Sequence, residues 1–488
     1  MLHVLKKIDG LNSSQQDKLF SLLGQKGIDL KGQMILEYPF CNVEKREYYN
    51  VSSSQFRVFI ANQLDLSSTA FNNQLVFVLT GDVNLKKMNE ALTALVSNHE
   101  TLRTSFFELK GSVYQKIHKP SDFSITEINN VNTSIESVIQ DFVEPFDLEV
   151  APLLRVGVCK LSEAKYLLIF DIHHIISDAE SLILLTNEFV DLYKGKKIKA
   201  YHYQYRDYSH WEKEINKRFL FRLQKKFWNN LYAKNENYEF PFGNPIVSKD
   251  YVGNVFEFSF DADEKLIIDK SVKEMGITHF MFLIGAFALT ISRETLKNDV
   301  VIGTPVAGRR KKEFEGIMGI FVNMLSIKIQ VNKEGKIVEF YKKLKRVVLK
   351  CFENQEYPYD RLVGDVNKGN ALINIVFAFQ NAGGRLKKRE REASEEFDIL
   401  PYKYFGKTSK FPLLLEAWEE ERKIGLRFEY SPHIFSENEI QKIAETYQKI
   451  VSELINNLKL RIDELAPLKK VDSLASKVHQ SDLDDFDF

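Results

Sequence analysis

The stretch FDIHHIISDAESL, residues 170–182, holds the residue types best suited to chemistry in this chain. Two adjacent histidines close an apolar run, and an aspartate follows four residues after the second. An imidazole titrates near neutral pH, so it can take a proton from an amine or hydroxyl nucleophile. It can also hydrogen-bond a polar intermediate without fully accepting the proton. The apolar run YLLIFDIHH reads as a buried strand, on which successive side chains alternate. His173 and His174 therefore face opposite sides, and one ring can enter a cavity while the other packs behind it. Asp178 follows a turn and Ser181 opens the next helix; a carboxylate there could neutralise a buried cation and fix the loop. Histidines at a strand end also serve plain packing, and the pair alone leaves both readings open. A metal site is not expected, because adjacent strand histidines point apart and no third ligand lies at a recognised spacing. No G-x-S-x-G elbow supplies a covalent nucleophile, which favours direct attack of one substrate on another.

The elements that must position these residues are legible in outline. APLLRVGVCKL and KYLLIFDIHH read as neighbouring strands joined by a short polar turn. ESLILLTNEFVDLYKG reads as a helix ended by Gly195. Upstream, 14–24 has helical spacing, LVFVLTGDVN reads as a strand and turn, and LKKMNEALTALVSNHETLRTSF as an amphipathic helix with Leu85, Met88, Leu92 and Leu95 on one stripe. A long charged and aromatic helix is expected around 208–233. Beyond it, strands (VFEFSF, DVVIGTPVAG, FVNMLSIKIQV, INIVFAFQN, IGLRFEYS) mix with helices (HFMFLIGAFALTIS, IVEFYKKLKRVVLKCFE, NEIQKIAETYQKIVSELINN) in an α/β layered pattern. The charged stretch 383–398 reads as an exposed crossover or loop, and the acidic end SDLDDFDF as a disordered tail.

At 488 residues the chain is long enough for two domains or two large lobes. Lys+Arg and Asp+Glu stand at 67 each, so no basic field favours nucleic acid. Cys41, Cys159 and Cys351 fit no disulfide framework, which implies a reduced, cytoplasmic setting. The start lacks the apolar stretch of a signal peptide. The longest apolar segment, 280–291, is too short to span a bilayer, so a soluble protein without membrane partners is expected.

HHIISDA resembles the HHxxxDG signature of the chloramphenicol-acetyltransferase-like superfamily, in particular the condensation domains of nonribosomal peptide synthetases. The rest of the chain narrows the choice. SSSQFRVF (52–59) is similar to an S-x-x-Q-x-R opening motif. NHETLRTSF (98–106) resembles RHExLRTxF, with Asn98 for the first Arg. YRDYSHW (205–211), GTPVAGR (303–309), GIFVNML (319–325), NQEYPYDRLV (354–363, with Asn354 for His) and NIVFAFQN (374–381) follow in the family's order. The matches run over roughly residues 50–460. The signature looks most like the subtype that joins two L-configured units.

The resemblance implies two acetyltransferase-like lobes in a V-shaped pseudo-dimer with a central tunnel, here 49–215 and 216–470. Residues 1–48 would be a linker helix or docking segment, and 471–488 a flexible acidic tail able to dock a partner. It implies amide formation between a carrier-bound acyl or peptidyl thioester and an amine, either a carrier-bound amino acid or a free amine. His174 would be catalytic and His173 supporting. Asp178 would pair with Arg309, with Ser181, Arg103 and Asn323 as further motif positions. Arg103 reads equally as a helix arginine and Asn323 as a turn cap. No cofactor would be bound intrinsically; the 4′-phosphopantetheine arms of carrier proteins or upstream synthetase subunits would bring the substrates to a monomer. With no adenylation domain, and VDSLAS (471–476) a chance likeness to a carrier site, the unit is expected to be freestanding. Ala179 departs from the signature's glycine, and would be strained if that backbone needed φ > 0. The rivals are an ester-forming acyltransferase of the same superfamily and a non-catalytic domain that recruits carriers.

Overall fold

The computed structural model describes residues 2–26, 35–129, 134–233, 241–242, 251–366, 372–380, 397–404 and 406–465. Contacts divide the chain into two units. The first holds 1–223, 307–322 and 383–406; the second holds 224–306, 323–382 and 407–488. This differs from the division at 215/216 drawn from the sequence. Two later segments return to the first unit, and Arg309 comes with one of them.

The first unit is built on a five-stranded sheet, in the order β12-β2-β7-β6-β5. β2 (Asn72–Gly81) and β6 (Leu154–Ser162) flank β7 (Lys165–His173), both antiparallel to it. β5 (Thr126–Ile128) runs parallel to β6, and β12 (Phe397–Pro401) pairs antiparallel with β2. The unbroken apolar run of β7 follows from burial on both faces. Leu168, Phe170 and Ile172 join one core, with Met88, Leu92 and Leu95 of the helix Leu85–Asn98 and Leu185 and Phe189 of the helix Ala179–Tyr193. Leu167 and Ile169 join a second, with Val138 and Ile139 of the helix Ile135–Phe142. Ordinary half-buried strands alternate; a strand covered on both sides cannot.

The 1–48 segment is part of this unit. Its helices Leu2–Asp9 and Ser13–Gln25 precede a turn at Ile35–Glu37, and Leu5, Ile8, Ile35, Tyr38 and Phe40 are buried in the first core. The Tyr38 hydroxyl donates to Asp9 Oδ2 at 2.9 Å.

Two expected elements are shorter than the sequence suggested. The helix from Leu85 stops at Asn98, because His99 is extended and its ring is drawn to buried Glu188, Nε2 to Oε2 2.6 Å. A 3₁₀ turn Glu100–Arg103 and the strand Thr104–Leu109 follow. The single helix expected at 208–233 is two, Tyr205–Ile215 and Phe219–Leu231, parted by a tight turn in which Arg218 N–H bonds the Ile215 carbonyl at 2.9 Å.

The second unit has a six-stranded sheet that includes β8 (Asn254–Phe260), β10 (Asn323–Gln330) and β14 (Ile424–Tyr430), in the order β10-β9-β11-β13-β14-β8. β11 (Ile375–Gln380) runs parallel to β9 (Asp299–Val306) and β13 (Leu413–Glu419), and the other pairings are antiparallel. The helices His279–Thr295 and Glu437–Asn456 contribute to a core in which Phe287, Phe377, Phe428 and Tyr447 meet. Among the described residues no single helix is long and apolar enough to cross a membrane. Most of 383–398, the VDSLAS stretch and the SDLDDFDF end lie outside the described residues.

Candidate active site around the paired histidines

β7 ends on His173, and a 3₁₀ turn His174–Ile176 carries the chain toward the next helix. His173 is almost fully buried, and its Nδ1 accepts from the Ile175 N–H at 3.2 Å. The rings of Phe71 and Phe146 flank it, with centroids 6.4 and 6.0 Å away. Asp171, two residues back, shares this face. It takes Arg155 Nη2 at 2.7 Å and Asn72 Nδ2 at 3.0 Å on one oxygen, and Arg155 lies 3.8 Å over the Phe146 ring. Burial pushes the Asp171 carboxyl up to about 6 against the opposing pull of Arg155. Nothing in the sequence pattern singles out this group.

His174 is half-buried and turned the other way. Its N–H donates to the Phe71 carbonyl at 2.7 Å, which pins the turn to the strand's neighbour. Its Nδ1 lies 2.7 Å from the Ser177 carbonyl oxygen. A carbonyl only accepts, so Nδ1 must carry the proton, and the lone pair of the neutral ring is on Nε2. The turn itself thus selects the tautomer suited to a base. Asn73 also reaches this ring, its amide 3.3 Å from Nδ1. Asn73 and Ser177 were not singled out from the sequence. The signal was an Asn-Asn pair that meets the His-His pair in antiparallel register, Asn72 opposite His173.

Asp178 is the N-cap of the helix Ala179–Tyr193. Its Oδ1 accepts from Ser181 N (2.8 Å), Ser181 Oγ (2.8 Å) and Arg309 Nη2 (3.0 Å), and its Oδ2 from Phe321 N (2.9 Å). Arg309 is equally enclosed. Nη1 donates to the Phe314 and Ile317 carbonyls at 2.7 and 2.6 Å, Nη2 also reaches Ser181 Oγ at 2.8 Å, and the guanidinium lies 4.0 Å over the Phe321 ring. The side chains of the pair are 5% and 7% exposed, so this is a buried, multiply bonded ion pair. It ties the start of the helix to the 307–322 segment within the first unit. Asp178 acts on the histidines through the turn, as the cap of the helix that follows it.

Two glycines within that segment are required by close approach. Gly308 (φ +69°) and Gly319 (φ +152°) both lie in the left-handed region. A Cβ on Gly308 would overlap the Phe321 carbonyl, and one on Gly319 the Tyr205 ring. Ala179 has no such need. It is the first residue of its helix, its backbone is not left-handed, and its methyl is exposed.

The other motif positions are bracing. Ser52 and Gln55 form the capping box of the helix Ser53–Leu64, whose Ser54 Oγ bonds the Val322 carbonyl at 2.8 Å. Arg103 donates to the carbonyls of Val96 (3.2 Å), Ser97 (3.4 Å) and His118 (3.0 Å), closing the end of the helix Leu85–Asn98. Asn323 belongs to the second unit, where its Nδ2 bonds the Gln355 and Tyr357 carbonyls at 2.9 and 2.8 Å. The structure therefore brings together His173, His174, Asp178, Ser181 and Arg309, while the bonds of Arg103 and Asn323 go to backbone groups elsewhere in the chain. A cluster with ligand-type side chains, Asp269, His279 and Glu419, occurs in the second unit. The Lys265 ammonium already lies between its two carboxylates, at 2.9 and 3.2 Å.

The family model "Condensation domain" matches residues 45–473. Gramicidin S synthase 2 of Brevibacillus brevis is 34% identical over 441 residues, which cover 88% of this chain and 10% of that synthase. The X-domain from teicoplanin biosynthesis superposes with a TM-score of 0.80 at 17% identity, over 88% of this chain and 100% of that one. The first condensation domain of the calcium-dependent antibiotic synthetase, in complex with a substrate analogue, gives 0.69 at 15%, over 86% and 99%. The two structures share the fold, and the sequence matches carry the kinship. With the histidine turn, its buried Asp–Arg brace and the ordered motifs in place, the chain belongs to the condensation-domain family of nonribosomal peptide synthetases, whose general reaction is amide-bond formation.

Proposed function

We propose that this domain joins an acyl or peptidyl thioester, delivered on a carrier's phosphopantetheine arm, to an amine, with His174 as the proton acceptor. The observation that carries the reading is the 2.7 Å contact between Nδ1 and the Ser177 carbonyl, which leaves Nε2 as the basic nitrogen. The amine attacks the thioester carbonyl, forming the C–N bond. Nε2 takes the proton that the nitrogen must lose. The C–S bond then breaks and the thiolate leaves, and the same proton can pass to sulfur, returning the neutral ring. The thioester is already activated, so the domain's task is to place the amine, keep it unprotonated and exclude water. His173, enclosed by Phe71 and Phe146, holds the strand end. Asp178 and Arg309 hold the turn from behind.

Carrier proteins or neighbouring synthetase subunits are the partners this chemistry requires, in the cytoplasm where such thioesters are made. The acceptor is a carrier-bound amino acid or a soluble amine. His174→Ala should lower amide formation by about 10²–10⁴-fold with folding unchanged, as loss of a general base does. Near-normal turnover of a synthetic acyl-pantetheine thioester by that variant would overturn the assignment. Running the assay with alcohols beside amines separates amide from ester formation. Absence of either product with every carrier tested would leave recruitment as the role.

A further inference from the structure

We propose that Asn73 is a positioning residue for His174: its side-chain oxygen shares the Nδ1 proton with the Ser177 carbonyl and so strengthens Nε2 as a base. The inference rests on the reading of His174 as the base, and extends it to a residue outside the family signature.

Asn72 and Asn73 open β2 and pair with His173 and Ile172. Their side chains point to opposite faces. Asn72 goes to the His173 side, where it bonds Asp171 at 3.0 Å and the Glu144 carbonyl at 2.9 Å. Asn73 goes to the His174 side, where the end of its amide lies 3.3 Å from Nδ1 and 3.3 Å from Ser177 Oγ. Nδ2 is placed at that end, but a half-turn of the planar amide exchanges it with Oδ1, and the network decides between them. The Ser177 carbonyl keeps a proton on Nδ1. An amide N–H there would set two donors head to head. Oδ1 in the same place accepts from Nδ1–H, and the Ser177 hydroxyl can turn its single proton to it from the His173 carbonyl, which lies at the same 3.3 Å. When the ring takes a second proton on Nε2, the cation is then stabilised by two acceptors at Nδ1 rather than one, which favours the charged form.

Among the described residues of the first unit, the charged and titratable groups around the turn include His173 and Asp171 on β7, the Asp178–Arg309 pair behind it, and Arg57 on the helix Ser53–Leu64 packed against it. An Asn73 substitution leaves all of them in place, so a change in the titration of His174 reports the amide.

The test needs no substrate. The full chain has ten histidines, and the imidazole carbon–proton signal lost in His174→Gln identifies His174 by NMR. Asn73→Leu should lower the titration midpoint of His174 by about half a unit or more, and Asn73→Asp should raise it. An unchanged or raised midpoint in Asn73→Leu overturns the proposal. Asn73→Ser, too short to reach the ring, repeats the measurement should leucine disturb the fold, with the same expected fall. The role of His174 and that of Asn73 fail separately. Normal turnover by His174→Ala removes the base whatever Asn73 does. An inactive His174→Ala with no fall in the Asn73 midpoint removes Asn73 alone.

Discussion

Removing Asp178 should be among the most damaging single changes in the first unit, and the structure says why. Asp178→Ala deletes an N-cap, a loss of about 1 kcal/mol. It strips the Phe321 N–H of the carboxylate it meets at 2.9 Å, and an unsatisfied buried donor costs about 1–3 kcal/mol. It leaves Arg309 charged and 7% exposed, where an uncompensated buried charge costs about 3–5 kcal/mol. The three contributions overlap, because the Arg309 guanidinium keeps its bonds to the Phe314 and Ile317 carbonyls. We expect a total of about 4 kcal/mol, within the range for broken buried pairs. Arg309→Met should cost a similar amount, since it frees those two carbonyls and leaves the carboxylate with three neutral donors. The diagnostic is the double variant. With both charges gone, its destabilisation should fall short of the sum by ~2 kcal/mol or more, the signature of directly coupled groups. Urea unfolding of the full chain, followed at the transition that moves with the single substitutions, measures all four corners. Additivity within about 0.5 kcal/mol would show that the two side chains act independently, and the account of the ion pair as the brace of the histidine turn would fall.

The elements that carry this site were legible where one physical cause dominates. β7 was set by an uninterrupted apolar run, and the helix after it by its spacing and the Gly195 stop, and both follow from local rules. The helix from Leu85 was overrun because its periodicity continues past Asn98. What stops it is tertiary: the His99 ring bonding Glu188, 89 residues away. The return of 307–322 to the first unit was invisible for the same reason. Its apolar residues Phe314, Ile317 and Phe321 satisfy any core, and only contacts choose which. The helix Ala262–Met275 and the strand Leu413–Glu419 were passed over, although the first has a complete capping box at Asp261 and Glu264.

Within the site, the residues that lie in motifs were found, Arg309 among them through the family resemblance, and the two groups that meet His174 from outside the motif positions were not. His174, Asp178 and Ser181 lie within eight positions of one another. Asn73 lies 101 positions from His174 and arrives by strand register. The Ser177 carbonyl is a backbone atom, which no side-chain pattern reveals. For Arg103 and Asn323 the motifs left a site role and a plain structural role equally open, and each spends its hydrogen bonds on backbone groups that close a helix or a turn.

Two further predictions concern positions whose chemistry runs against first appearance. Ala179→Gly should leave turnover unchanged and destabilise the helix by no more than about 1 kcal/mol, because the alanine is exposed and unstrained; a large gain in rate would mean that the signature glycine does something this backbone does not show. Asp171 should make the first unit less stable as pH rises. Its carboxyl titrates near 6 in the folded chain against 3.8 for the ordinary group, so the native state binds the proton more tightly than the unfolded chain does. For a raised folded value, the stabilising contribution is complete below the unfolded value and is lost as pH climbs through the folded one. A displacement of this size corresponds to roughly 2–3 kcal/mol, spread over about pH 4 to 6. Asp171→Asn cannot titrate, keeps an amide oxygen facing Arg155 and Asn72, and should flatten that slope. Melting curves of both proteins between pH 4 and 7 decide the matter: parallel pH dependence in the two would mean that Asp171 is ionised throughout, held so by Arg155 at 2.7 Å in spite of its burial.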